Sequence, residues 1–154
     1  MIDIQPARFP EDLDTVRVIF REYADSLGID LSFQGFDQEL AGLPGKYAPP
    51  AGAILLAWHD DRLVGCVALR AFELEICEMK RLYVRPEVRG EQLGRRLAQV
   101  VVHAAREAGY RKMRLDTLPS MQAAQRLYAS LGFRPISAYV FNPVEGTRFL
   151  ELEL

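Results

Sequence analysis

The sequence predicts an α/β (α+β) fold, with helices interspersed among strands around one sheet. Three observations carry that prediction. Long stretches with apolar residues every three or four positions alternate along the chain with shorter apolar or alternating runs, the helical and strand periods respectively. Glycine and proline fall between these stretches far more than inside them. The length of 154 residues suffices for one sizeable core and is short for two, so a single domain over residues 1–154 is expected.

Residues 1–7 read as an edge strand. A helix starts near Glu11 or Asp12, just after Pro10; Leu13, Val16, Phe20, Tyr23, Ala24 and Leu27 share one side, and Gly28 stops it. Residues 29–50 are rich in glycine and proline, with a short helix candidate at 37–43. Connections this long are often functional, which places substrate-facing surface here. Residues 53–58 and 63–69 are apolar runs around His59, Asp60, Asp61 and Arg62, a polar turn of hairpin length. A third strand covers 74–84. In the helix that follows, Leu93, Leu97, Val100, Val101, Ala104 and Ala108 form one stripe, ended by Gly109. Residues 113–117 form a short strand. Pro119 then introduces a helix with Met121, Ala124, Leu127, Tyr128 and Leu131 on one side and Gly132 at its end. Residues 136–141 and 147–154 read as closing strands, the last setting Phe149, Glu151 and Glu153 against Leu150, Leu152 and Leu154.

The net charge of −2 and pI near 5.7 argue against a nucleic-acid partner, which asks for a basic face. Charge is uneven, however: Lys80, Arg81, Arg85, Arg89, Arg95 and Arg96 crowd one segment that holds only Glu87 and Glu91 as acids. Such a focus suits a small polyanion, and it equally suits a solvated helix face. Cys66 and Cys77 sit in apolar stretches without metal-ligand spacing and read as reduced core residues of a cytoplasmic protein. His59 and His103 lack neighbouring ligands, so no metal is expected. No apolar run is long enough to cross a bilayer, and no membrane partner is expected.

The segment from Glu78 to Leu97 carries the chemistry. It reads as a strand, a turn marked by Pro86, and a loop with Gly90 and Gly94 opening a long helix. Helix N-termini expose unpaired N–H groups and the positive end of the dipole, and a loop folded over one cradles a diphosphate. Glycine lets main chain approach phosphate, and Arg89 and Arg95 add charge-assisted contacts. Other phosphate loops fail. Gly45-Lys46 lacks the first glycine of a P-loop, Leu40 standing there, and is followed by Tyr47; no G-x-G-x-x-G occurs.

These residues resemble the GNAT superfamily of acyl-CoA-dependent N-acetyltransferases, whose pattern Arg/Gln-x-x-Gly-x-Gly/Ala is met by Arg89-Gly90-Glu91-Gln92-Leu93-Gly94. A second block matches separately: Arg114-Leu115-Asp116-Thr117, Ala124, Leu127-Tyr128 and Gly132-Phe133. The likeness runs from about Ala53 to Phe133. Gln92 stands where the family usually has glycine, and Met121 where many members have asparagine.

The resemblance implies a GNAT-like fold: a central mixed, mostly antiparallel twisted sheet with a splayed middle strand pair, flanked by about four helices. It implies acetyl-CoA as acyl donor, a small-molecule or peptide amine as acceptor, and direct transfer in a ternary complex. Leu82, Tyr83 and Val84 would bond the pantetheine arm through their main chain and supply the N–H for the oxyanion. Arg89, Gly90, Glu91, Gln92, Leu93, Gly94 and Arg95 would take the pyrophosphate. Tyr128 matches the family's general acid; its place in a helical stripe equally suits a core aromatic. Glu78 lies where several members place a carboxylate base, with Glu73 and Glu75 as nearby rivals. Aromatic residues Phe33, Phe36, Tyr47, Tyr139 and Phe141 suit an apolar acceptor pocket or plain packing. Homodimers are common among such enzymes, and no segment marks an interface. The alternative from another class is a non-catalytic regulatory module that only binds acyl-CoA.

Overall fold

The computed structural model describes residues 1–89 and 92–154. Seven strands form one sheet: β1 (Ile2–Pro6), β2 (Ala53–His59), β3 (Arg62–Glu73), β4 (Ile76–Val84), β5 (Lys112–Thr117), β6 (Arg134–Ile136) and β7 (Arg148–Glu153), in the order β1-β2-β3-β4-β5-β7-β6. All neighbouring pairs are antiparallel except β4 and β5. Four α-helices flank it: α1 (Leu13–Leu27), α2 (Phe36–Ala41), α3 (Leu93–Glu107) and α4 (Gln122–Ser130). This is the mixed, mostly antiparallel α/β architecture that the sequence predicts.

Side-chain alternation along the strands divides the core in two. Leu55, Ala57, Met113, Leu115, Leu150 and Leu152 face α3 and α4. Ile54, Leu56, Cys66 and Ala68 face α1 and α2. In α3 the buried residues are Leu93, Leu97, Ala98, Val101, Val102 and Ala105. The stripe expected from the sequence erred at Val100 and Ala108, which are exposed, because Ala98, Val102 and Ala105 complete the contact face. Gly28 ends α1 in the left-handed conformation (φ 68°), where glycine is unstrained.

Two strand boundaries differ from expectation. The hairpin between β3 and β4 turns at Leu74 and Glu75, with Glu75 at φ 66°, so β3 extends to Glu73 and the next strand starts at Ile76 rather than Leu74. The expected strand at 136–141 is absent: β6 ends at Ile136, and the chain from 137 to 147 is irregular. Its aromatics serve packing instead, with Tyr139 edge-on to Phe72 and Phe149.

Two irregularities place the site. First, β4 and β5 pair only through Ile76↔Lys112, Cys77↔Met113 and Glu78↔Arg114, then diverge. The β5-facing edge of β4 beyond Glu78 therefore lacks a strand partner. Second, β4 carries a bulge: opposite Cys66–Ala68 of β3 lie Tyr83 and Lys80, so Arg81 and Leu82 together oppose Val67, and Arg81 takes φ 62°.

Candidate active site

The diverging strands open two connected spaces. A groove of about 960 Å³ runs between β4, the start of α3 and the start of α4. Leu82, Tyr83, Val84, Arg89, Gln92, Leu93, Gly94 and Arg95 all line it. Gly90 and Glu91, expected in the same loop, lie outside the described residues. At the inner end sits a cavity of about 30 Å³, bordered by Tyr128, Lys80, Asp116 and Thr117. Tyr23, Leu82 and Met121 border both spaces.

The groove fits a CoA-type ligand. The β4 edge presents main chain without a strand partner, as an added extended group requires. Gly94 is the second residue of α3, and a methyl there would stand between Leu127 and Val84, both groove walls. Gln92, where the family usually has glycine, adopts φ 63° at the α3 N-cap, a left-handed conformation that glycine adopts without strain. Arg95 donates to Ser130 Oγ at 3.0 Å, and Arg89 Nε to the Val84 carbonyl at 3.1 Å.

The basic segment divides by function. Arg89 and Arg95 border the groove, whereas the four others are engaged elsewhere. Arg81, 3% exposed, donates to both Glu39 oxygens at 3.1 and 3.0 Å and to Gln34 at 2.8 Å. Arg85 pairs with Glu22 at 2.9 Å. Lys80 is buried beside Gln34 and Asp116. Arg96 donates to the Ile2 carbonyl at the far edge of the sheet. The charge focus read from the sequence thus reaches the groove only through Arg89 and Arg95.

Tyr128 borders the cavity, is 5% exposed and packs on Phe133 with ring centres 5.6 Å apart. Burial pushes its phenol above the ordinary value, so it holds its proton throughout the neutral range.

Glu78 is placed differently from its expected role. At 1% exposure it accepts from Arg70 at 3.0 and 2.9 Å on one oxygen and from Tyr139 at 2.7 Å on the other. It does not border the cavity. Both oxygens have donors, so the carboxylate anchors Arg70 and Tyr139 rather than meeting an acceptor directly. Glu73 and Glu75 are exposed at the β3–β4 hairpin, away from the cavity.

What sequence reading missed is a polar face. Glu78, Lys80, Arg114, Asp116 and Glu151 alternate with apolar residues on β4, β5 and β7, on the side opposite α3 and α4. The tail adds Tyr139 and Asn142, the latter donating to Asp116 at 3.1 Å, and the segment before β2 adds Gln34 and Glu39. The signal was present: charged residues recurring at period two inside otherwise apolar strands mark a buried polar face. Phe36 and Tyr47 join the core near α1, while Phe33 meets the exposed Phe141 edge-on.

Comparison with known proteins follows the same outline. The family model described as acetyltransferase (GNAT) family matches residues 16–133. An uncharacterised N-acetyltransferase of Schizosaccharomyces pombe is 41% identical over 155 residues, covering 99% of this chain and 95% of the relative. A GNAT-family acetyltransferase structure from Staphylococcus aureus superposes with a TM-score of 0.81 at 20% identity, over 99% of both chains. The PaiA N-acetyltransferase of Thermoplasma acidophilum, solved in complex with coenzyme A, gives a TM-score of 0.77 at 18% identity, over 100% of this chain and 99% of that one.

Proposed function

Because the chain belongs to the acetyltransferase (GNAT) family and is an acetyltransferase of acyl-CoA, we propose that it moves an acetyl group from acetyl-CoA directly onto a primary amine. One observation carries the reading: the groove lined by the expected cofactor residues runs into a cavity bordered by Tyr128. The bound donor supplies the activated acetyl group. In this reading the β4 edge at Leu82, Tyr83 and Val84 holds the pantetheine arm and offers an N–H to the developing oxyanion. The loop from Arg89 through Gly90, Glu91, Gln92, Leu93 and Gly94 to Arg95 takes the diphosphate at the start of α3. Tyr128 donates its phenolic proton to the departing sulfur. Glu78 keeps Arg70 and Tyr139 in place behind the acceptor.

Transfer is direct because the cysteines are poor nucleophiles. Cys66 and Cys77 are buried free thiols, and burial pushes both up, Cys77 to about 12. Two reduced buried thiols also suit a reducing compartment such as the cytoplasm. Among the described residues, no helix is long and apolar enough to cross a membrane.

Calorimetry with acetyl-CoA, followed by free-thiol release against a panel of amino acids, polyamines, aminoglycosides and a lysine peptide, tests this. Saturable binding and thiol release with at least one amine are expected. Binding without release from any amine would return the non-catalytic alternative.

A further inference from the structure

Most charged groups of the polar face are closely paired. Arg81 meets Glu39, Arg70 meets Glu78 and Arg114 meets Glu151, each with a contact of 3.0 Å or less. Lys80 and Asp116 are the exception. Lys80 Nζ stands 4.0 Å from Asp116 Oδ1 and 3.3 Å from Gln34 Oε1, although the two side chains are only 6% and 10% exposed. They lie just past the last rung that joins β4 to β5, on the two strands that diverge there. Both border the small cavity, with Tyr128 across it. Asp116 Oδ2 is taken by Asn142, which leaves Oδ1 without a partner closer than Lys80. A stretched ion pair at low exposure keeps bonding capacity that a ligand can complete.

We infer that the small cavity bordered by Lys80 and Asp116 seats the acceptor's ammonium group, and that Asp116 is the carboxylate that receives its proton. This deepens the transferase reading and rests on it. A space of about 30 Å³ admits roughly one water-sized group. Only the reacting nitrogen and its carbon enter, so the acceptor is a primary amine on an unhindered carbon. Its N–H groups complete Oδ1. The Lys80 charge, with Arg81 and Arg70 behind it, makes a second lasting cation unfavourable, so the acceptor is held better as the neutral amine once Asp116 has taken its proton.

The step balances. Asp116 takes one proton from the ammonium, and the freed lone pair forms the C–N bond at the thioester carbon. The C–S bond breaks, and the sulfur takes the Tyr128 proton. The second proton lost by nitrogen restores Tyr128, and Asp116 releases its own to water as product leaves.

The groups facing Asp116 are Tyr23 from α1, Lys80 from β4 with Glu78 beyond it, Tyr128 from α4, Tyr139 and Asn142 from the tail, and Gln34 beside Lys80. Burial raises all three phenols, so none ionises in the working range. An acid limb in the rate profile therefore comes from none of the three phenols.

The test compares Asp116→Asn with the parent enzyme on the best amine of the panel. Near neutral pH, kcat/KM should fall about 100-fold or more, with the acetyl-CoA Kd and melting temperature unchanged. The deficit should shrink about tenfold per pH unit as free amine becomes abundant, closing towards the acceptor's own pKa. A deficit constant with pH, or none, overturns the inference, as does loss of the acid limb in Glu78→Gln instead. If Asp116→Asn does not fold, Lys80→Met takes its place: removing the cation should move the acid limb to higher pH, and an unmoved limb refutes the assignment. Methylammonium, entering the small cavity, gives a readout without turnover. It should shift the carbon-13 resonance of the Asp116 carboxyl in the parent protein, and no shift overturns the seat. Failure of the parent to release thiol counts against the transferase reading, and the methylammonium result still decides the seat.

Discussion

Gly94 and Gly65 lie near the same helix, and adding one methyl should have opposite consequences at the two. At Gly94 a Cβ would meet Leu127 Cδ2 at 3.8 Å and Val84 Cγ2 at 3.9 Å, ordinary contact distances. The free protein therefore accommodates alanine, and the lost backbone freedom of the unfolded chain stabilises it by up to about 1 kcal/mol, some 2–4 °C in melting temperature at this size. The methyl nevertheless stands on the groove wall, where main chain must approach the diphosphate. Affinity for acetyl-CoA should fall at least tenfold, about 1.4 kcal/mol. At Gly65 the Cβ would lie 2.9 Å from the Tyr83 carbonyl oxygen and 3.2 Å from Leu97 Cδ1. A strand carbonyl cannot yield, so Gly65→Ala should cost about 1–3 kcal/mol of stability. Thermal unfolding and calorimetry on the two variants separate the effects: Gly94→Ala stays stable and binds poorly, whereas Gly65→Ala loses stability. Full acetyl-CoA affinity in Gly94→Ala would refute the idea that bare main chain meets the diphosphate.

Tyr128→Phe keeps the packing on Phe133 and removes the proton donor. Steady-state kinetics should show kcat lowered about 100-fold with the KM for acetyl-CoA within a factor of two; an unchanged kcat removes Tyr128 from the chemistry. Glu78→Gln leaves the Arg70 guanidinium without its carboxylate. Urea unfolding should show a loss of roughly 3 kcal/mol, and a loss below about 1 kcal/mol would mean the pair is slack. Acid stability follows from two depressed carboxyls. Hydrogen bonds from the Arg8 side chain and backbone hold Asp12 low. Burial pushes Glu22 up, but hydrogen bonds from Arg85 and Tyr83 outweigh it and hold it low. Their contribution is complete above the unfolded carboxyl pKa of about 4 and is lost as pH falls through the folded values. Melting temperature should drop over that window, and less steeply in Asp12→Asn.

Much of the fold was legible because each long element states its period in one place: α1 by its stripe and Gly28, α3 by its spacing, β2 by its apolar run. The groove was legible for the same local reason, since the residues expected to hold the cofactor form one contiguous segment of sequence. The acceptor side was not. Lys80, Asp116, Arg70 and Glu39 come from four elements, and their meeting depends on the strand order and on where β4 leaves β5. The partners of Glu78 were hidden for a related reason. Its position on β4 was read correctly, but Arg70 on β3 and Tyr139 in the tail take its oxygens. Residues 136–141 were misjudged because Tyr139 packs on Phe72 and Phe149 rather than in a ladder.

The bulge at Arg81 links the two halves of the site. In an unbroken strand, residues 77, 79, 81 and 83 would share one face. With the extra residue, Cys77 and Met79 are followed on the α3 side by Leu82 and Val84, while Tyr83 joins the opposite core beside α1. One inserted residue thus exchanges the faces for the remainder of β4. Glu78 and Lys80 stay on the polar face, and Leu82 and Val84 reach the groove. A left-handed arginine costs about 1–2 kcal/mol, and Arg81 is held there by Glu39 and Gln34 at 2.8–3.1 Å. Both of these residues belong to the segment before β2, which also borders the acceptor side. That segment and the bulge are thus tied together through Arg81, at the point where the β4 edge turns towards the groove.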